Sequence, residues 1–131
     1  MLTLYFSGTG NTKYLASLFS DNMHGQCVSI EADVDFAALI ASSSTIAFCY
    51  PIYGSRMPRN MRKFVHEHVT ALKGKRLIIF VTQWLFSGDG ARVLLDLLPS
   101  NHVEVIYAEY FNMPNNISNS FWFPAVSERR P

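Results

Sequence analysis

Six consecutive residues, Ser7-Gly8-Thr9-Gly10-Asn11-Thr12, concentrate the chemistry of this sequence. They follow an apolar run and precede a stretch with helical spacing, so the turn feeds a helix N-terminus. An anion held there meets backbone N–H groups that the helix leaves unpaired and the positive end of the helix dipole. Gly8 and Gly10 let the backbone curl close to the anion without a Cβ in the way. Ser7, Thr9, Asn11 and Thr12 add side-chain donors. That density suits a terminal phosphate, whose three oxygens all need partners. The plainer alternative is a strand-to-helix turn capped by one Ser, Thr or Asn; it leaves most of the six positions over-specified.

Two other phosphate-binding turns are distinguishable from this one. The dinucleotide pattern G-x-G-x-x-G fails at its third glycine, where Lys13 stands, although Glu31 lies at a suitable distance to bind a ribose. The nucleoside-triphosphate loop requires Gly-Lys-Ser/Thr, whereas Lys13 here stands between Thr12 and Tyr14. The triphosphate reading fails.

The elements that must position this turn follow from the apolar pattern. A chain of 131 residues fits one domain. Hydrophobic residues make up 49% and charged residues 16%, below the roughly 25% charge typical of globular domains, which implies a largely buried chain. A net charge of +1 offers no footprint for nucleic acid or a membrane surface. No leader pattern opens the chain and no run approaches the roughly 18 apolar residues of a membrane span, so a soluble, cytoplasmic protein is expected. Cys27 and Cys49 lie apart in apolar runs and read as free buried thiols.

Strands are expected at Leu2–Phe6, Cys27–Ile30, Ser44–Tyr50, Arg76–Val81 and Val103–Tyr110. Leu77–Val81 is apolar on both faces, as a strand between helix layers must be. Leu15, Leu18, Phe19 and Met23 mark one helix face, with Gly25 as its C-cap. A short helix covers Asp35–Ala41. Pro58 opens another whose Met61, Phe64, Val65, Val69 and Leu72 share one face. A last helix spans Asp89–Leu98 and is stopped by Pro99. Alternating strands and helices predict a doubly wound parallel α/β sheet.

The turn "YFSGTGNT" resembles the phosphate-binding loop of flavodoxins and flavodoxin-like reductases. "YPIYGSRMPRNMRKF" and "TQWLFSGDGA" are similar to one branch, in which a flavodoxin-like domain precedes a ferredoxin domain. The resemblance covers about residues 1–115. It implies a five-stranded sheet of order 2-1-3-4-5 with flavin mononucleotide (FMN) at the switch between strands one and three. It further implies cofactor contacts from Ser7, Thr9, Gly10, Asn11, Thr12, Pro51, Ile52, Tyr53, Gly54, Gln83, Trp84, Phe86, Gly88 and Asp89. Tyr53 and Trp84 could stack against or edge the flavin ring. Gly54 and Gly88 provide peptides able to approach flavin N5, with Gly54 implied as the one that reorients. Asp89 either contacts the flavin edge or caps the next helix. No residue is implied as a general acid or base, so the reaction would be the flavin's own.

Two function classes follow: an electron carrier that exchanges electrons with a redox partner protein or small-molecule acceptor, and an NAD(P)H-dependent FMN or quinone reductase. A non-redox phospholigand-binding protein is the third reading. The near-neutral charge departs from the acidic habit of flavodoxins. The fusion branch's cysteine-rich iron–sulfur motifs have no counterpart in Cys27 and Cys49, so a standalone or truncated version is expected. Arg56, Arg59, Arg62 and Lys63 form a basic cluster, read either as a solvated face or as a dock for an acidic partner or a nicotinamide phosphate. His66, Glu67 and His68 do not share a helix face and make a poor metal set.

Residues 1–110 are taken as the FMN-binding domain and 111–131 as an irregular tail without helical period. In such a sheet the first helix covers one face and the next three the other. A last helix that is missing, or replaced by this tail, leaves apolar surface on the first helix's side of strands three to five. Phe121-Trp122-Phe123 would pack there, or the face would be buried in a homodimer.

Overall fold

The computed structural model describes residues 1–7, 10–52, 56–84 and 90–113, apart from the side chains of Trp84, Asn112 and Met113. Its strands are β1 (Leu2–Tyr5), β2 (Gln26–Ser29), β3 (Thr45–Ile52), β4 (Arg76–Trp84) and β5 (Glu104–Met113). All pair in parallel, in the order β2-β1-β3-β4-β5. The helices are α1 (Asn11–Asn22), α2 (Phe36–Ala41), α3 (Arg59–Glu67), α4 (Val69–Leu72) and α5 (Gly90–Leu95). This is the doubly wound, flavodoxin-like arrangement expected from the sequence. Among the described residues no helix is long and apolar enough to cross a membrane.

Strand alternation sorts the core into two faces. Leu4, Phe48, Tyr50, Ile52, Ile79 and Val81 point to the side covered by α2 to α5, where Ile40, Met61, Phe64, Val65, Leu72 and Leu94 meet them. Each such fully buried aliphatic or aromatic side chain contributes about 1.5–3 kcal/mol of transfer free energy. Ala47, Cys49, Ile78 and Phe80 point the other way, toward Ala16 of α1.

The contact face of α1 differs from the expected one. Thr12, Ala16 and Ser20 are buried, whereas Leu18 and Met23 are exposed at 37% and 48%. Small residues at i, i+4 and i+8 let the helix lie close on the sheet, which turns its bulky apolar stripe sideways. Leu15, Leu18 and Phe19 line one wall of an open groove of about 290 Å³, with Phe80, Tyr107 and Phe111 opposite. On this side Ile78 and Phe80 of β4 are buried and Tyr107 of β5 is 51% exposed. Phe121-Trp122-Phe123 lies outside the described residues.

Smaller departures have local causes. The left-handed residue after α1 is His24 (φ 53°), not Gly25. Gly25 is instead required by proximity, since a Cβ there would sit 2.8 Å from the carbonyl oxygen of Met1. The single helix expected after Pro58 breaks at His68, whose ring Nδ1 lies 2.8 Å from the Phe64 carbonyl oxygen and whose ring packs 4.2 Å from that of Phe64. β3, β4 and β5 run further than their apolar cores, and β5 passes the 110/111 boundary. Backbone pairing with a neighbouring strand carries each one on toward the carboxyl edge.

Candidate functional site

The strand order reverses between β1 and β3, so α1 leaves one side of the sheet and α2, α3 and α5 the other. That divergence opens a crevice at the carboxyl ends of β1, β3 and β4. Gly10 enters it with φ 97° and ψ −18°, a left-handed conformation that costs an L-residue energy. The Ser7 hydroxyl accepts a 2.9 Å bond from the Gly10 N–H and closes the turn.

α1 starts at Asn11, and its first helical bond runs from the Tyr14 N–H to the Gly10 carbonyl at 3.0 Å. The N–H groups of Asn11, Thr12 and Lys13 thus precede the helical ladder. Gly10 supplies no side-chain cap, and the first turn holds no acidic residue. Among the described residues, then, no side chain caps the positive end that this twelve-residue helix turns to the crevice, and Lys13 stands in its first turn. A Cβ built on Gly10 would meet nothing within 4 Å, so its backbone conformation and not crowding is what favours glycine there. The described part of the turn fits a phosphate monoester.

The Thr12 side chain does something the sequence did not reveal. It is 2% exposed, and its hydroxyl lies 2.9 Å from that of Thr82 on β4. Its backbone N–H stays in the first turn of α1. Pro51 stands opposite Thr82 in the ladder, and Ile52 opposite Gln83. Both pairs are buried, and the Ile52 side chain belongs to the core. Trp84 ends β4 at the same edge. Thr9, Tyr53, Gly54, Phe86, Gly88 and Asp89 lie outside the described residues.

Three further residues fix the start of α5. The Tyr50 hydroxyl donates to the Gly90 carbonyl at 2.8 Å, and the Ala91 N–H donates to the Tyr110 hydroxyl at 3.0 Å. A Cβ on Gly90 would come within 2.7 Å of Ile52 Cγ1 and 2.8 Å of Val81 Cγ1. Their one trace in the sequence is a tyrosine inside an otherwise apolar strand, whose hydroxyl must find a partner when buried.

Burial raises the thiols of Cys49 and Cys27 above their usual range, and burial and then Cys27 raise Tyr5. These groups stay neutral at pH 7. Glu31, the ribose ligand of the dinucleotide alternative, instead accepts a 3.0 Å bond from the Asn60 amide. Among the described residues no three His, Cys, Asp or Glu side chains gather as a metal site. Among the described residues the arrangement can bind an anion at the start of α1.

The model of the "Flavodoxin domain" family matches residues 2–119. No curated protein matches the sequence significantly. Among solved structures, the two-electron reduced flavodoxin of Megasphaera elsdenii superposes with a TM-score of 0.73 at 22% identity, over 91% of this chain and 89% of that one. An archaeal flavodoxin gives 0.68 at 19% identity, covering 85% and 82%. Oxidised Flavodoxin 2 of Bacillus cereus gives 0.66 at 17%, covering 97% and 92%.

Proposed function

This chain belongs to the flavodoxin family, and we propose that it carries electrons between redox partners on an FMN bound at the carboxyl ends of β1, β3 and β4. When bound, FMN supplies the reversible redox chemistry; the protein supplies binding, orientation and environment. Ser7, Thr9, Gly10, Asn11 and Thr12 hold the phosphate, mainly through backbone N–H groups at the start of α1. The hydroxyls of Ser7 and Thr12 hold the turn and the sheet together. The segments after Ile52 and after Trp84 carry Tyr53, Gly54, Phe86, Gly88 and Asp89 to the flavin ring. Trp84 lies at the edge where β4 ends. One ring edge faces solvent and serves as the route for electrons.

The observation that carries this reading is the acid-free N-terminus of α1, entered through the left-handed Gly10, at the point where strand order reverses. Its test is a paired titration with FMN and with riboflavin, which lacks the phosphate. Asn11→Asp adds a negative charge where a helix tolerates one and a phosphate does not. FMN affinity is expected to fall at least about tenfold, the cost of placing like charges in contact. Riboflavin affinity and melting temperature should hold. Equal losses for both ligands, or no saturable flavin binding by the folded wild type, would remove the phosphate site. Steady-state oxidation of NADPH by a quinone would move the protein to the reductase class.

A further inference from the structure

Resting on the FMN reading above, we propose that Arg56, Arg59 and Arg62, on and just before α3, form a docking face for an acidic redox protein beside the flavin crevice. From Phe36 to His66 the sequence contains no Asp or Glu. Four of the chain's eleven Lys and Arg residues fall within Arg56–Lys63. All four are exposed, while Met61, Phe64 and Val65 take the buried side of the helix. Arg59 and Arg62 are three residues apart and so share one face.

Two features mark this as more than a solvated helix face. The first turn of α3 has no acidic residue and begins with Arg59. A cation at a helix N-terminus opposes the macrodipole, where Asp or Glu would normally be favoured. The positive potential of the arginines and of the helix end therefore add. The nearby acidic side chains are already placed elsewhere. Glu31 accepts from Asn60, and Glu31, Glu67 and Lys63 border the same shallow pocket. Lys63 thus shares a pocket with two carboxylates, whereas Arg56, Arg59 and Arg62 lie outside its lining.

Position links this charge to the crevice. β3 delivers the chain to its carboxyl end at Ile52; Arg56 follows four residues later, and α3 sets out from Arg59. The arginines therefore stand next to the segment that reaches for the flavin. Guanidinium forks bind carboxylates bidentately and are weakly hydrated, which suits contact with an acidic protein surface. Spread along an exposed helix, they offer a broad footprint and not a socket for one phosphate. In the encounter one electron leaves the partner's reduced centre, which is oxidised, and enters the bound flavin. A second encounter, with protons taken from water, completes the flavin's reduction.

The test uses the full chain loaded with FMN and a strongly acidic ferredoxin carrying two [4Fe–4S] clusters as the probe. Binding of the oxidised ferredoxin is measured by calorimetry at low and high salt, alongside its rate of electron delivery in the reduced form. For the wild type, affinity should fall about tenfold or more as salt screens the contact. The combined variant R56E/R59E/R62E should bind at least about tenfold more weakly, with little remaining salt dependence. R59Q/R62Q should fall between the two. FMN affinity and reoxidation by a neutral quinone should be unchanged in both variants. Ferredoxin affinity that survives the charge reversal would overturn the proposal. So would an equal loss with the neutral quinone, or a loss of affinity for NADPH in place of ferredoxin. Failure of the wild type to hold FMN would instead strike the parent reading, and is read separately in the flavin titration.

Discussion

The hydroxyl oxygens of Thr12 and Thr82 lie 2.9 Å apart in a buried contact between the first turn of α1 and the carboxyl end of β4. They are 70 residues apart in sequence. The contact ties the turn that opens α1 to the carboxyl end of β4, so α1 and the sheet share one anchor at that edge.

Thr82→Val removes one hydroxyl and strands the other in a dry site. It should destabilise the fold by about 1–3 kcal/mol, the usual cost of an unsatisfied buried polar group. Thr12→Val/Thr82→Val should cost less than the sum of the two single changes, since both hydroxyls then leave together. Urea denaturation of the four proteins measures the coupling. Strict additivity would show that the pair does not interact.

Gly10 and Gly90 should fail for different reasons. Gly10→Ala meets no steric contact but must adopt φ 97°, at a cost of about 1 kcal/mol. Gly90→Ala drives a methyl into Ile52 and Val81, at about 1–3 kcal/mol for overpacking. Ile52→Ala removes the Cγ1 that the methyl meets, so Gly90→Ala/Ile52→Ala should cost less than the sum of its two single changes, whereas Gly10→Ala should add to Ile52→Ala without coupling. Chemical denaturation of the single and double variants distinguishes the two causes.

Cys49 and Cys27 give a pH signature. Burial holds both thiols protonated to higher pH than in the unfolded chain. Below the unfolded thiol value of about 8.5 neither state is ionised, and the full stability is present. Above it the unfolded chain releases protons that the folded chain retains, so stability falls as pH rises. Denaturation midpoints should therefore drop between about pH 8.5 and 10, and Cys49→Ala should flatten the slope. Iodoacetamide applied to the native protein should label Cys27 and spare the fully buried Cys49. Labelling of Cys49 without unfolding would mean that the strand opens.

Some of this protein could be read from local sequence. The Ser7–Thr12 turn is a short-range feature, because its glycines, donors and following helix are adjacent in the chain. The five strands and the sense of their pairing were legible from apolar runs separated by helical periods. The chemistry of the basic cluster was visible too, as Arg56, Arg59 and Arg62 in a segment without acids.

Tertiary structure decided what depends on distance. Periodicity assigned Leu18 and Met23 to the buried face of α1. Close packing chose Thr12, Ala16 and Ser20, because small side chains let helix and sheet approach. The helix divides at His68, which leaves the helical conformation (φ −115°, ψ 20°) while its ring meets the Phe64 carbonyl and ring, contacts a helical pattern alone cannot express. Tyr50, Tyr110 and Gly90 gain their roles only when β3, β5 and α5 converge. A sequence lists donors and apolar surfaces near one another in the chain. Which buried hydroxyl meets which partner, and which face finds a neighbour, is settled by contacts between residues tens of positions apart.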